Sequence, residues 1–180
     1  MSTQIKKKKV TRGSIYMKNI LTRQISLAFQ SIGSNIKKTI KRTLENDLYG
    51  RCTKEGYIKK ESINIISFSS GIINGNNVIF IVVFECLICH PVEGQIIKCK
   101  VQNITRAGIR ALYKEENSPI TVFVARDHHF NDEYFSKIKE DHEISIKVIG
   151  IRYELYDETI AVLGELKRTK RKKTKVIIEE

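Results

Sequence analysis

The chain has 180 residues, of which 41% are hydrophobic and 29% are charged, so it is long enough for one sizeable core or two small ones. This composition excludes wholesale disorder, and no stretch approaches the roughly 20 uncharged apolar residues of a membrane-spanning helix. The formal net charge is +12, of which residues 1–12 and 167–180 contribute +5 each, so the intervening part is predicted to be nearly neutral.

The first half of the chain is typical of a helix packed on an antiparallel sheet. Residues 20–29 carry apolar side chains at both two- and four-residue spacings, so periodicity there does not choose between strand and helix. Residues 35–47 are predicted to form an amphipathic helix, because isoleucine or leucine recurs every four residues between lysines and arginines. Two β-rich runs follow, at Ile63–Phe68 and Val78–Ile88. An Asn-Gly turn signal, Asn74–Asn77, comes directly before the second run.

The second half predicts a small barrel. We place a domain boundary at Pro91–Glu93, giving an N-terminal domain of residues 13–91 and a barrel of residues 92–166. A polar interval, Phe130–Asp141, is expected to form a short helix or ordered loop between the third and fourth β-like runs. Five short strands with that insertion describe an OB-type barrel in an α+β protein. The runs are Gln95–Ile104, Gly108–Tyr113, Ile120–Ala125, Glu143–Tyr153 and Thr159–Leu166.

Strand alternation predicts a basic outer face on this barrel. In Gln95–Val101 it places Ile97, Cys99 and Val101 inside and the two intervening lysines outside. OB barrels bind single-stranded nucleic acid on such a face with cations and stacking rings. An ordinary solvated barrel face has the same pattern. The candidate RNA-contacting residues are Lys98, Lys100, Arg106, Arg110 and Arg126.

The two basic arms are expected to be disordered and suited to phosphates. A solvated tail or a nuclear-import signal has the same composition. The N-terminal lysines are not followed by the apolar segment of a signal peptide, so we expect no secretory signal and reduced thiols.

The four cysteines raise the alternative of a zinc site. Cys86 and Cys89 have zinc-knuckle spacing, His90 follows, and Cys52 and Cys99 would complete four ligands. An odd offset in a strand, however, turns the two thiols to opposite faces. We predict no metal and no cofactor.

A histidine pair is the candidate for catalysis. His128 and His129 adjoin Arg126 and Asp127, which offers acid–base groups beside a cation. No nucleophile motif, phosphate-binding glycine loop or metal-binding histidine pair accompanies them. We therefore predict that the chain is not an enzyme.

The order of several short motifs resembles a known family. Gly50-Arg51-Cys52, Gly56-Tyr57-Ile58, the Asn103–Gly108 turn, Phe123–Arg126 and Val148-Ile149-Gly150 succeed one another as in the seventh subunit of eukaryotic RNA polymerase II and its archaeal counterpart. The resemblance spans about residues 18–166. The residues of this chain at Glu85-Cys86, His90–Gly94 and Ala125–His129 are similar to those in the versions encoded by large nucleocytoplasmic DNA viruses.

This resemblance implies an N-terminal tip domain followed by an OB barrel of the ribosomal S-one type. In the family, the subunit pairs with the fourth subunit in a stalk that docks on the polymerase clamp beside the exiting transcript. The family's RNA-binding barrels usually carry an aromatic residue and a histidine or serine where this chain has Arg110 and Ala125. Loss of the aromatic residue lowers the expected affinity, although an arginine guanidinium can itself stack on bases, so we expect weak, non-specific and mainly phosphate-led RNA contact.

The resemblance also nominates a docking segment, Gly50–Ile58. Its candidate docking residues are Gly50, Cys52, Gly56, Tyr57 and Ile58. We expect the glycines to be irreplaceable for docking, and a bulky residue at Gly56 to leave the isolated fold nearly intact.

These expectations combine into a non-catalytic stalk subunit of a viral DNA-directed RNA polymerase. Its expected partners are polymerase core subunits at the clamp, nascent RNA and a fourth-subunit homologue if the same source encodes one. The expected location is a viral factory in the host cytoplasm, the nucleus or the virion. The alternatives are a stand-alone OB-fold RNA-binding factor and a zinc-binding factor.

Overall fold

The computed structural model describes residues 15–114, 118–129 and 132–167, which divide into two compact units. Unit one runs to His90 and also contains Glu154–Thr159, and unit two contains Pro91–Tyr153 and the chain from Ile160 onward. Among the described residues, no helix is long and apolar enough to cross a membrane.

Unit one is a sheet built around one long strand. In chain order its elements are β1 (Tyr16–Ala28), α1 (Ile36–Leu48), β2 (Cys52–Thr53), β3 (Gly56–Ile58), β4 (Asn64–Phe68), β5 (Ile72–Asn74) and β6 (Asn77–Cys89). The central strand β6 pairs antiparallel with β1 along the whole length of both, and also with β3, β4 and β5. The segment of ambiguous periodicity is therefore a strand, and the predicted helix at residues 35–47 is confirmed to within one residue.

Helix α1 covers one face of this sheet. Its apolar stripe buries Ile40 and Leu44, which are 0% and 2% exposed, in a cluster with the inward side chains of β1 and β6. The helix ends where the Tyr49 N–H bonds the Glu45 carbonyl and Gly50 takes a φ of +70°. The chain thereby turns into the Gly50–Ile58 segment at the end of the sheet.

Unit two is a closed five-stranded barrel. Its elements are β7 (Ile96–Ile104), β8 (Gly108–Tyr113), β9 (Ile120–Ala125), α2 (Glu133–Ser136), β10 (Glu143–Arg152) and β11 (Ile160–Leu166). The strands close in the order β10, β11, β9, β8, β7, with β9 and β11 parallel and the other pairs antiparallel. A closed five-stranded barrel with a helix between its third and fourth strands is an OB fold, so the predicted α+β class is confirmed.

Candidate nucleic-acid interface and docking segment

Strand β7 places its lysines on the outside of the barrel, as its alternation predicts. Ile97, Cys99 and Val101 are 3%, 0% and 1% exposed, whereas Lys98 and Lys100 are exposed. The same alternation in β8 buries Ile109 and Ala111 completely and turns Arg110 to solvent. The barrel therefore presents cations from two adjacent strands on its outer surface.

The five candidate RNA-contacting side chains are not equally available. Lys100 Nζ lies 2.8 Å from Asp141 Oδ1. The Arg126 guanidinium donates from Nη2 to the Thr105 carbonyl at 3.3 Å and lies 5.3 Å from the centre of the Phe135 ring. Within the described residues, the other three, Lys98, Arg106 and Arg110, are exposed and form no ion pair.

An exposed aromatic ring lies next to these cations. Phe123 in β9 is 40% exposed and pairs directly with Arg110 of β8, which in turn pairs with Asn103 of β7. Sequence reasoning missed it by looking for the ring only in the second strand. Alternation between the buried Val122 and Val124 would have found it. The barrel face, expected to be poor in Phe and Trp, therefore carries this one exposed ring among its described candidate residues.

Two carboxylates offset part of the basic face. The hydrogen bond and charge of Lys100 lower the pKa of Asp141, and those of Lys114 lower the pKa of Glu143. Glu143 also pairs in register with Lys100 across β10 and β7. Both groups are thus ionised at neutral pH, where they compete with any phosphate for the same ammonium groups.

All five nominated residues of the docking segment are buried inside unit one. Cys52, Tyr57 and Ile58 are 1%, 7% and 0% exposed, and the two glycines are buried as well. The loop Glu154–Thr159 holds this segment through main-chain bonds, with the Cys52 N–H donating to the Asp157 carbonyl at 2.7 Å and the Tyr156 N–H to the Cys52 carbonyl at 2.9 Å. The side chains that the segment offers to solvent are those of Arg51 and Lys54.

Gly56 has a structural reason to be glycine. Its φ is +125°, and a Cβ there would stand 2.6 Å from the Cys89 carbonyl oxygen and 2.9 Å from Ile88 Cγ2. A side chain at this position would push β3 off the end of β6. The expectation that a bulky residue at Gly56 leaves the fold intact is therefore wrong.

The four cysteines are all buried, and each is a free thiol. Cys86 belongs to the core beneath α1, and the odd offset turns Cys89 to the opposite face of β6. Among the described residues, no group of three or more His, Cys, Asp or Glu side chains is placed to hold a metal ion. Burial raises the pKa of three of these thiols, to about 11 for Cys52, about 11 for Cys86 and about 12 for Cys99.

The histidine pair is divided between solvent and the barrel wall. His128 is exposed, whereas the His129 side chain is 6% exposed and stacks on Phe135 with ring centres 5.5 Å apart. His129 Nε2 accepts a hydrogen bond from the Leu166 N–H at 3.2 Å, which assigns its proton to Nδ1, on the side of Asp132. This histidine closes a hydrogen bond at the end of β11.

The chain is similar over most of its length to curated RNA polymerase subunits. A protein of Acanthamoeba polyphaga mimivirus that carries the name of a DNA-directed RNA polymerase subunit is 26% identical over 169 residues, covering 85% of this chain and 82% of the relative. DNA-directed RNA polymerase II subunit RPB7 of Glycine max is 24% identical over 165 residues, covering 82% and 90%. The resemblance found in the sequence is confirmed.

A further relative extends the same pattern. DNA-directed RNA polymerase II subunit 7 of Arabidopsis thaliana is 24% identical over 152 residues, covering 75% of this chain and 84% of the relative. Each of these alignments is longer than either unit, so the similarity spans both the sheet and the barrel. No protein-family model matches the chain.

The two basic arms lie outside the described residues, apart from Lys167. Their role in phosphate binding stays a prediction. Within the described part of the barrel, the candidate cations for RNA contact are Lys98, Lys100, Arg106, Arg110 and Arg126.

Proposed function

We propose that this chain is a non-catalytic stalk subunit of a virus-encoded DNA-directed RNA polymerase. The observation that carries the proposal is the similarity to polymerase subunits across both units, with a large DNA virus among the sources of the relatives. Unit one docks on the core enzyme near the clamp, and the barrel contacts RNA as it leaves. A fourth-subunit homologue is the expected partner within the stalk.

The outer face of the barrel supports a mixed mode of RNA contact. Lys98, Arg106 and Arg110 have no competing ion pair among the described residues and are available for phosphates. Phe123 offers a ring on which a base can stack beside the Arg110 guanidinium. Phosphate contact and ring stacking both tolerate any base, so the contact is expected to be largely independent of sequence.

The docking surface of unit one consists of exposed cations rather than the buried apolar residues of the Gly50–Ile58 segment. Tyr57 and Ile58 fix the shape of the segment from inside, and Gly50 and Gly56 supply its positive φ angles. Arg51 and Lys54 then face the partner. The core surface that receives them is expected to be acidic.

The experiment that tests the proposal is affinity purification of the tagged full chain from infected cells, followed by mass spectrometry and RNA crosslinking. We expect the large polymerase subunits in stoichiometric amounts and a crosslink to nascent RNA. The triple variant Lys98→Glu, Lys100→Glu, Arg110→Glu should keep the polymerase subunits and lose the crosslink, since these side chains lie outside the barrel core. Recovery of the chain with RNA but without polymerase subunits would instead identify a stand-alone RNA-binding factor.

A further inference from the structure

Unit one contains a cavity of about 490 Å³, which is lined by residues of the docking segment and by residues outside it. It opens between β1, the C-terminal half of α1, the residues that follow Gly50 and the Glu154–Thr159 loop. Apolar and cationic side chains are prominent in its lining. The apolar ones include Leu44, Leu48, Leu155 and Tyr156, and the cationic ones are Arg23, Arg51 and Lys54.

The cationic half of the cavity has three positively charged side chains and one acidic side chain, Asp47. Arg23 Nη2 donates to Glu55 Oε2 at 2.8 Å, but Arg23 Nε is buried and has no hydrogen-bond partner among the described residues. Arg51 is exposed and forms no ion pair with a described residue, and Asp47 is the one acidic side chain in the lining. Because Arg23 Nε is shielded from solvent, a ligand in the cavity would meet the outer nitrogens of Arg23 and Arg51, where a carboxylate would add charge-assisted hydrogen bonds.

The apolar half is presented to solvent by a strained loop. Leu155 is 54% exposed and Tyr156 is 68% exposed. Tyr156 has a φ of 71°, a left-handed conformation that costs free energy in a residue other than glycine, and its bond to the Cys52 carbonyl maintains it. Two adjacent exposed apolar side chains at the mouth of a cavity are typical of a protein-binding surface.

We propose that this cavity binds an extended acidic segment of a protein partner. One carboxylate lies between Arg23 and Arg51, and a neighbouring apolar side chain packs on Leu155 and Tyr156. A protein is favoured over RNA because the exposed Leu155 and Tyr156 beside these cations match a segment that carries an apolar side chain next to a carboxylate. The identity of the partner as a polymerase core subunit rests on the proposed function, but the chemistry of the cavity does not.

The test uses two labelled peptides and two charge-reversal variants of the full chain. The probe peptide is Gly-Ser-Leu-Glu-Glu-Phe-Gly-Ser, and its control replaces both glutamates by glutamine. Fluorescence anisotropy should show the glutamate peptide binding at least about tenfold more tightly than the glutamine peptide, the effect of losing one charge-assisted hydrogen bond. Arg51→Glu should weaken binding of the glutamate peptide by the same factor.

The matched control is Lys38→Glu, which makes the same change in net charge in the first turns of α1, away from the cavity lining. It should bind both peptides like the original chain. Equal loss in the two variants, equal binding of the two peptides, or no binding up to about 1 mM would overturn the proposal. Displacement of the peptide by single-stranded RNA in an Arg51-dependent manner would assign the cavity to nucleic acid and overturn it as well.

Co-purification separates this inference from the proposed function. If Arg51→Glu loses neither the polymerase core nor the glutamate peptide, the stalk-subunit proposal stands, whereas the cavity proposal and the place of Arg51 on the docking surface both fail. If the original chain retains no core subunits but binds the glutamate peptide through Arg51, the cavity proposal stands and the polymerase proposal fails.

Discussion

Replacing Phe123 by alanine should weaken RNA binding without changing its dependence on salt. The ring is 40% exposed on the outer face and pairs in register with Arg110, so its removal deletes a stacking surface and no charge. Stacking of one base on an aromatic side chain contributes about 1–3 kcal/mol, so the Kd should rise by about 5- to 150-fold. Because the ring is already partly in water, Phe123→Ala should lower the free energy of unfolding by less than the about 3–5 kcal/mol that a fully buried Phe→Ala change costs.

The assay is fluorescence anisotropy of a labelled uridine strand of about 12 nucleotides, titrated with the full chain over a range of salt concentrations. In a plot of the logarithm of the association constant against the logarithm of salt concentration, Phe123→Ala should shift the line downward and leave the slope of the line unchanged. Lys98→Ala, which removes a phosphate contact, should make the slope shallower by about 0.7. Thermal unfolding of both variants checks that the barrel is intact.

Two conservative variants make the test specific for the aromatic ring. Phe123→Tyr should bind RNA like the original chain, whereas Phe123→Leu, which keeps the apolar bulk, should bind as weakly as Phe123→Ala. Tight binding by Phe123→Leu, or a salt slope that changes with Phe123→Ala, would refute the stacking argument.

Four further predictions follow from charge, backbone geometry and burial. Asp141→Asn should raise RNA affinity and steepen the salt slope, because it releases Lys100, while asparagine tolerates the φ of 64° at this position; an unchanged slope would show that the ion pair does not compete with phosphate. A chain of residues 13–166, which keeps +2 of the +12 charge, should bind RNA more weakly and with a shallower slope than the full chain; identical slopes would place the phosphate contacts on the barrel. Gly56→Ala should destabilise unit one by about 2–5 kcal/mol in chemical denaturation, whereas Gly75→Ala, with a φ of +58° and no atom near its Cβ position, should cost only about 1 kcal/mol; equal costs would contradict the steric argument. The native chain at pH 8 should react slowly with a thiol reagent and quickly once unfolded, since a raised pKa leaves little thiolate; rapid native labelling would contradict the burial of Cys52, Cys86 and Cys99.

The barrel could be predicted from sequence because each of its strands carries a local signal. Alternation alone fixes which side of β7 faces the interior, and the same rule applied to β9 turns Phe123 outward. Helix α1 was equally accessible, since Ile36, Ile40 and Leu44 form one stripe. These features depend on residues that are neighbours in sequence.

The main features of unit one cannot be predicted from local sequence patterns, because they depend on contacts between residues far apart in the chain. The inward face of β1 carries Arg23, which breaks the apolar alternation and bonds to Glu55, a partner 32 positions away in the sequence. The docking segment is covered by Glu154–Thr159, a loop between two strands of the barrel. The resemblance nominates Tyr57 and Ile58 as contact residues, whereas in the structure they are buried beside this loop and the end of β6.

The distribution of charge assigns different tasks to the arms and to the barrel. Ten of the twelve net positive charges lie in residues 1–12 and 167–180, and Asp141 and Glu143 offset part of the basic face that remains. Non-specific affinity grows with the number of phosphates neutralised, so most of it should come from the arms. The barrel contributes a ring and a guanidinium whose residues, Phe123 and Arg110, pair across neighbouring strands. The barrel should therefore orient the RNA strand, and losing Phe123 should affect where the transcript crosslinks more than whether the chain binds RNA at low salt.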